Sequence, residues 1–187
     1  MIVGDPDVFA IESWISEAYE DTSLRALGYF LIHVGGLKYG VDDPDASILA
    51  CSFDEVERRI AFQGKHTAPL MSASAAFALA EAAYDVIYSE QPRESYLGIT
   101  ASDLATAIHK SNAIWAPDGD AAFDDGSFIL QFDVDGRVRL LAFKIAERGD
   151  CLPEAVRDIW ILSDQFYGIL RVWRDKFVEE WQNAPKK

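Results

Sequence analysis

The sequence predicts an α+β domain: a mainly antiparallel β-sheet of about five to six strands with helices packed on it, in one unit over residues 1–187. Three observations carry that expectation. Ser127–Ile145 reads as a β-hairpin, with apolar runs on both sides of Asp135-Gly136. Such a turn needs positive φ, which Asp tolerates and Gly adopts without steric cost. Residues 163–182 carry Phe166, Leu170, Trp173, Phe177 and Trp181 at spacings of four, three, four and four, one face of a long helix. Half of the 187 residues are hydrophobic, enough for a sizeable core.

In order along the chain, Val8–Glu17 alternates loosely, with Phe9, Ile11 and Ile15 on one side and Glu12 and Trp14 on the other, as in a strand. Leu27–Val34 suits a strand buried on both faces. Gly35-Gly36 then turns the chain into a shorter strand near Leu37–Val41. Ser52-Phe-Asp-Glu55 fits a capping box opening a helix, with Gly64 as its stop. A second helix is expected from Ser74 to Tyr88, with Phe77, Ala80, Tyr84 and Ile87 as its apolar stripe. Thr100 caps a third through Leu104 and Ile108. In the hairpin, Phe128, Leu130 and Phe132 share one face and Ile129, Gln131 and Asp133 the other. Asp158–Leu162 is the last strand, and Ser163 or Asp164 caps the final helix.

The formal charge is −14, spread as −10 over residues 1–57, −6 over 58–136 and +2 over 137–187. Nucleic acid and anionic lipid both require a basic footprint, so neither is expected as a partner. A basic protein would be attracted and steered; the plainer reading is that the acidity only maintains solubility. No stretch approaches the ~20 apolar residues of a membrane span. The opening Met1–Asp7 lacks the basic region of a secretory signal, and Cys51 and Cys151 are too far apart for zinc or disulfide spacing. A reducing cytoplasm is the expected compartment. Nothing in the residues sets the oligomeric state.

Catalytic arrangements are mostly missing. His33, His66 and His109 stand singly, no Gly-x-Ser-x-Gly elbow occurs, and no Gly-rich run cradles phosphate. His33 reads as a satisfied strand residue, and Cys51, just before a helix, as packing. No cofactor or metal is implied, and the chain is not expected to be an enzyme. The informative stretch is Ser111–Gly136, which has six aspartates and no Lys or Arg. Asp118, Asp120, Asp124 and Asp125 sit in Pro-Asp-Gly and Asp-Asp-Gly turn sequences. Turn and capping roles come first for them, then a protein-facing acidic patch, then carboxylate catalysis on a carbohydrate or metal binding. Trp115 reads as core first and interface anchor second.

Trp115-Ala-Pro-Asp-Gly-Asp, Phe123-Asp-Asp-Gly-Ser, Leu130-Gln-Phe-Asp and Arg139-Leu-Leu-Ala-Phe together resemble the immunity protein 42 family of bacterial polymorphic toxin systems. The opening Met1-Ile-Val-Gly-Asp, Leu49–Val56 and Phe166-Tyr…Trp173-Arg-Asp are similar too, so the likeness spans nearly the whole chain. The resemblance implies an α+β cytoplasmic protein that binds and neutralises a toxin domain delivered between competing cells. It supplies no map of binding residues. From charge and exposure, the expected toxin-binding residues are Asp118, Asp120, Asp124 and Asp125 with Trp115, then Asp42, Asp43 and Asp45 as a second patch. Glu12, Trp14 and Glu17 on the amino-terminal strand form a competing site. A carbohydrate hydrolase and a non-catalytic adaptor are the alternatives.

Overall fold

The computed structural model describes residues 1–69, 71–72, 75–145 and 156–187. In chain order the elements are β1 (Ile2–Asp5), β2 (Phe9–Ala18), β3 (Ala26–Val34), β4 (Leu37–Tyr39), β5 (Ser47–Ile48), α1 (Leu49–Ala61), α2 (Ala76–Tyr88), β6 (Ser95–Tyr96), β7 (Ile99–Thr100), α3 (Ala101–Lys110), β8 (Ile114–Ala116), β9 (Ser127–Val134), β10 (Arg137–Lys144), β11 (Arg157–Leu162) and α4 (Ser163–Asn183). A single 3-10 turn, Ala121–Phe123, lies between β8 and β9.

The α+β class and antiparallel pairing hold. Among the described residues the strands divide among three sheets rather than lying in one. The first runs β1-β2-β3-β4, with β5 also on β3; the second runs β11-β10-β9-β8; β6 and β7 form a small ribbon. Residues β9 and β10 pair in register around Asp135 (φ 48°) and Gly136 (φ 77°), the positive-φ turn expected from Asp-Gly.

Helix α4 lies against both larger sheets, touching β1, β2, β10 and β11 as well as α1. Phe166, Leu170, Trp173 and Phe177 are fully buried there, beside Phe9 and Phe30 from the first sheet and Ile129, Val138 and Leu140 from the second. The opposite face of the second sheet, with Phe128, Leu130, Phe132, Leu141 and Phe143, is covered by α2 and α3. Helices therefore cover both faces of this sheet. That double burial explains why β9 and β10 read as near-continuous apolar runs. Strand β3 is buried without interruption from Phe30 to Val34, as its composition predicts.

Several local expectations are corrected. Helix α1 starts at Leu49, directly after β5, so Ser52 lies inside it and no side chain caps its first turn. The strand-to-helix junction, not the Ser-x-x-Glu pattern, fixes that start. The helix ends at Ala61, with Arg58 and Arg59 in the last turn where the dipole favours cations, and Gly64 (φ 81°) turns the chain beyond it. Neither Ser163 nor Asp164 caps α4; Leu162 holds that position with no side-chain bond. Helix α2 buries Leu79, Ala80, Ala82 and Ala83, and Phe77 stays half-buried outside the stripe; its expected start at Ser74 lies outside the described residues. Thr100 does cap α3, its Oγ1 accepting from the Asp103 amide at 3.2 Å.

Candidate functional site

A surface groove of about 480 Å³ opens between α1 and the Asp118–Ala121 loop. One wall is the exposed side of α1, carrying Cys51, Asp54 and Arg58. The opposite wall is built by turn chemistry. Asp118 Oδ1 accepts from the Asp120 amide at 3.0 Å, Asp120 accepts from the Ser47 hydroxyl at 2.8 Å, and Ala122 O accepts from the Val41 amide at 2.8 Å. A smaller groove of about 250 Å³ shares Glu55, Arg58 and Asp118 and continues to Tyr88 and His109.

The floor between the two is charged and layered. Glu55, 4% exposed, is bonded by Arg58 at 2.7 Å from the rim and by Arg59 at 2.9 Å from inside. Arg59 is fully buried; it donates to Gln131 Oε1 at 2.9 Å and Ile114 O at 2.6 Å, with Trp115 4.7 Å from its guanidinium carbon. Gln131 in turn donates to the Tyr167 hydroxyl, which donates to Asp133. Burial lowers the Arg59 pKa to about 10 despite Glu55, so the guanidinium stays charged at neutral pH. The crowded groove wall, then Asp120 and Glu55, push the Asp118 carboxyl up to about 6, against the opposing Asp120 amide. The Cys51 thiol is also raised, by burial and by Asp120, Asp118 and Asp54. Excess negative charge thus concentrates in this groove.

The sequence matches the family described as immunity protein 42 over residues 1–176. This chain belongs to the immunity protein 42 family. Membership gives it a role in toxin immunity. A crystal structure of CdiI from Burkholderia dolosa AUO158 shares the fold at 18% identity and a TM-score of 0.52, covering 94% of this chain and 99% of that one. No curated protein matches the sequence.

In this immunity protein 42 chain the predicted site residues separate. Asp118, exposed, and Asp120, half-buried, line the large groove; Asp124 is exposed too but lines neither groove. Asp125 is a structural anchor: it accepts from the Gly40 amide at 3.2 Å, the Ser127 amide at 3.1 Å and Lys144 Nζ at 2.5 Å. Burial alone would raise its pKa, but Lys144 and Ser127 hold it below the usual carboxylate range. Trp115 is 0% exposed, so it is core and not a contact surface. Asp43 and Asp45 are exposed, and Asp42 is paired with Lys38 at 2.8 Å.

On the amino-terminal strand only Trp14 is openly displayed, at 42%, tilted against Tyr29 with ring centroids 6.0 Å apart. Glu12, expected to be exposed, is half-buried and bonded to His33 at 2.8 Å and Lys38 at 3.6 Å. Glu17 is half-buried and held by Tyr19 and Lys187. His33 is the satisfied strand residue its context suggests. Cys51 is exposed rather than packed, and Cys151 lies outside the described residues.

Among the described residues no three His, Cys, Asp or Glu side chains gather as a metal-ion site. No helix there is long and apolar enough to cross a membrane. Sequence reasoning missed Asp54, Glu55 and Arg58 as groove residues. The signal was present in the Glu55/Arg59 pair at i,i+4 and the Asp54/Arg58 pair at the same spacing, obscured by reading Glu55 as a capping residue.

Proposed function

We propose that this chain is a cytoplasmic, non-catalytic immunity protein, a single domain that binds and neutralises one cognate toxin domain with a basic face. Family membership over residues 1–176 is the observation that carries this reading. The charge supports the kind of partner: −14 overall, with the excess over residues 1–136. A toxin that handles phosphates, such as a nuclease, presents a cationic cleft. An opposite field would steer the encounter, and a few desolvated anchors would set residence time. An interface of about 1,600 Å² in total is typical for such a pair.

Co-expression with the toxin domain encoded beside it tests the proposal, reading cell survival and co-purification together. Rescue with a stable complex is expected, its association slowing as salt rises. Poisoned cells and no complex at low or moderate salt would end this reading.

A further inference from the structure

Arg58 occupies an unusual place in the groove. Its side chain is 56% exposed, yet it reaches down to the almost fully buried Glu55 carboxylate, its one ion-pair partner among the described residues. The other Glu55 oxygen faces Arg59 and Asn112 from inside. The floor therefore already accepts one guanidinium from the solvent side, through a contact whose arginine end stays exposed. The wall charge is not balanced by it: Asp54, Asp118 and Asp120 line the same groove with no cation paired to them among the described residues, while Arg58 and Arg59 both serve Glu55. Beyond the carboxylates the trench turns apolar, ending at Ile48 (37% exposed) on one side and Tyr88 (46%) on the other.

We infer that this trench is where the toxin docks, through an arginine or lysine flanked by apolar residues, and that Arg58 is an internal stand-in which the incoming cation displaces. This rests on the immunity reading and adds the place and chemistry of contact. Charge complementarity selects the occupant. An anionic or purely apolar segment would leave Asp54, Asp118 and Asp120 confronting it without a cation, whereas an incoming cation beside Asp118 would offset their negative charge. Burial in the groove first, and then the nearby Asp120 and Glu55 carboxylates, raise the Asp118 pKa. Ile48 and Tyr88 are placed to take the apolar neighbours of that cation and exclude water around it.

The test uses the full chain and a catalytically inactivated form of the neighbouring toxin domain, with association and dissociation rates measured separately. Asp118→Asn with Asp120→Asn removes two groove charges; Asp43→Asn with Asp45→Asn removes two exposed charges outside it. The groove pair should speed dissociation at least tenfold, and the outside pair should only slow association about twofold. Arg58→Ala should slow dissociation several-fold, because the competitor is gone. Because Asp120 also holds Ser47, Tyr88→Ala serves as an independent variant on an exposed residue and should speed dissociation too. Groove and outside pairs behaving alike, or Arg58→Ala leaving dissociation unchanged or faster, would overturn the docking site while the immunity reading stood. So would groove-dependent dimerisation of the free chain, which would assign the trench to a second copy. Failure of the unmodified chain to bind the toxin would remove both.

Discussion

Replacing Arg59 with Met asks how much the buried polar layer beneath the groove contributes to stability. Met roughly preserves the stem volume and contact with Trp115, and removes the guanidinium alone. The loss falls on Glu55 at 2.9 Å, Gln131 at 2.9 Å and Ile114 O at 2.6 Å, all left without that donor. Breaking a buried ion pair by removing one partner costs about 3–5 kcal/mol. Arg58 remains on the other Glu55 oxygen, which places the expectation at the low end, about 3 kcal/mol. With an m-value of about 2–3 kcal/mol/M, the urea midpoint should fall by roughly 1–1.5 M.

The double variant Arg59→Met with Glu55→Met distinguishes pairing from mere packing. It removes the stranded carboxylate, so it should be no less stable than Arg59→Met alone, a coupling of about 1–3 kcal/mol. Urea melts followed by tryptophan fluorescence and far-UV circular dichroism give both numbers. A single-variant loss under about 1 kcal/mol, or strictly additive losses, would refute the reasoning.

Trp173→Ala should cost about 3–5 kcal/mol, since the ring is fully buried and stacked on Phe177 at 5.2 Å. Trp173→Phe should cost only about 1–2 kcal/mol, for it leaves the Ser13 hydroxyl without the indole donor now 3.0 Å away; denaturant melts read both. Two groups respond oppositely to acid. Burial and then Arg59 lower the His66 pKa, so the folded state takes up its proton later than the unfolded chain. Stability from His66 is therefore complete above about pH 6.5 and is lost as pH falls below it. Asp118, raised to about 6, binds its proton earlier when folded, so its contribution rises as pH falls from about 6 toward 4. Melts across pH 4–7 should show His66→Gln flattening the acid-side loss and Asp118→Asn steepening it; identical slopes in all three proteins would contradict both assignments. Finally, raising NaCl from about 0.05 to 0.5 M should increase the Tm of the free protein by a few degrees through screening of its self-repulsion. A fall in Tm would show that paired charges dominate instead.

Elements whose signal is local were legible in the sequence. Asp135-Gly136 named its own turn, Thr100 capped the helix it precedes, and the α4 stripe stated both its face and its burial. Elements defined by a distant partner were not. Strand β1 has four residues and exists because Val3 and Gly4 lie opposite Ile11 and Ala10; β8 exists because Ile114 lies beside Leu130. The same divide runs through the site. Asp124 and Asp125 are indistinguishable by sequence, yet only Asp125 meets Lys144 on β10 and the Gly40 amide. Gly40 itself is held by close approach, because a Cβ there would lie 2.9 Å from Phe30 O. Glu55 looked like a helix cap because Ser52 precedes it by three. Its actual role depends on β5 leading straight into Leu49, which turns Glu55 inward toward Arg59.

Two sets of carboxylates have different physical effects. Glu55, Asp125 and Asp158 each meet a cation within 3 Å, and the Asp158 partner, Arg139, is itself 1% exposed. Of these pairs, Asp125–Lys144 ties the acidic loop to the second sheet, Arg139–Asp158 joins β10 to β11, and Glu55–Arg59 lies within α1. Asp54, Asp118 and Asp120 have no cation in an ion pair among the described residues, though all three line one groove. Stability alone would favour a lysine or arginine among them, since like charges in a confined wall repel. The one cation present, Arg58, is tethered to the floor and leaves the walls uncompensated. Asp54, Asp118 and Asp120 therefore place uncompensated charge along one groove, where an outside cation can reach it. That asymmetry, more than the net charge of −14, gives the proposed interface a direction.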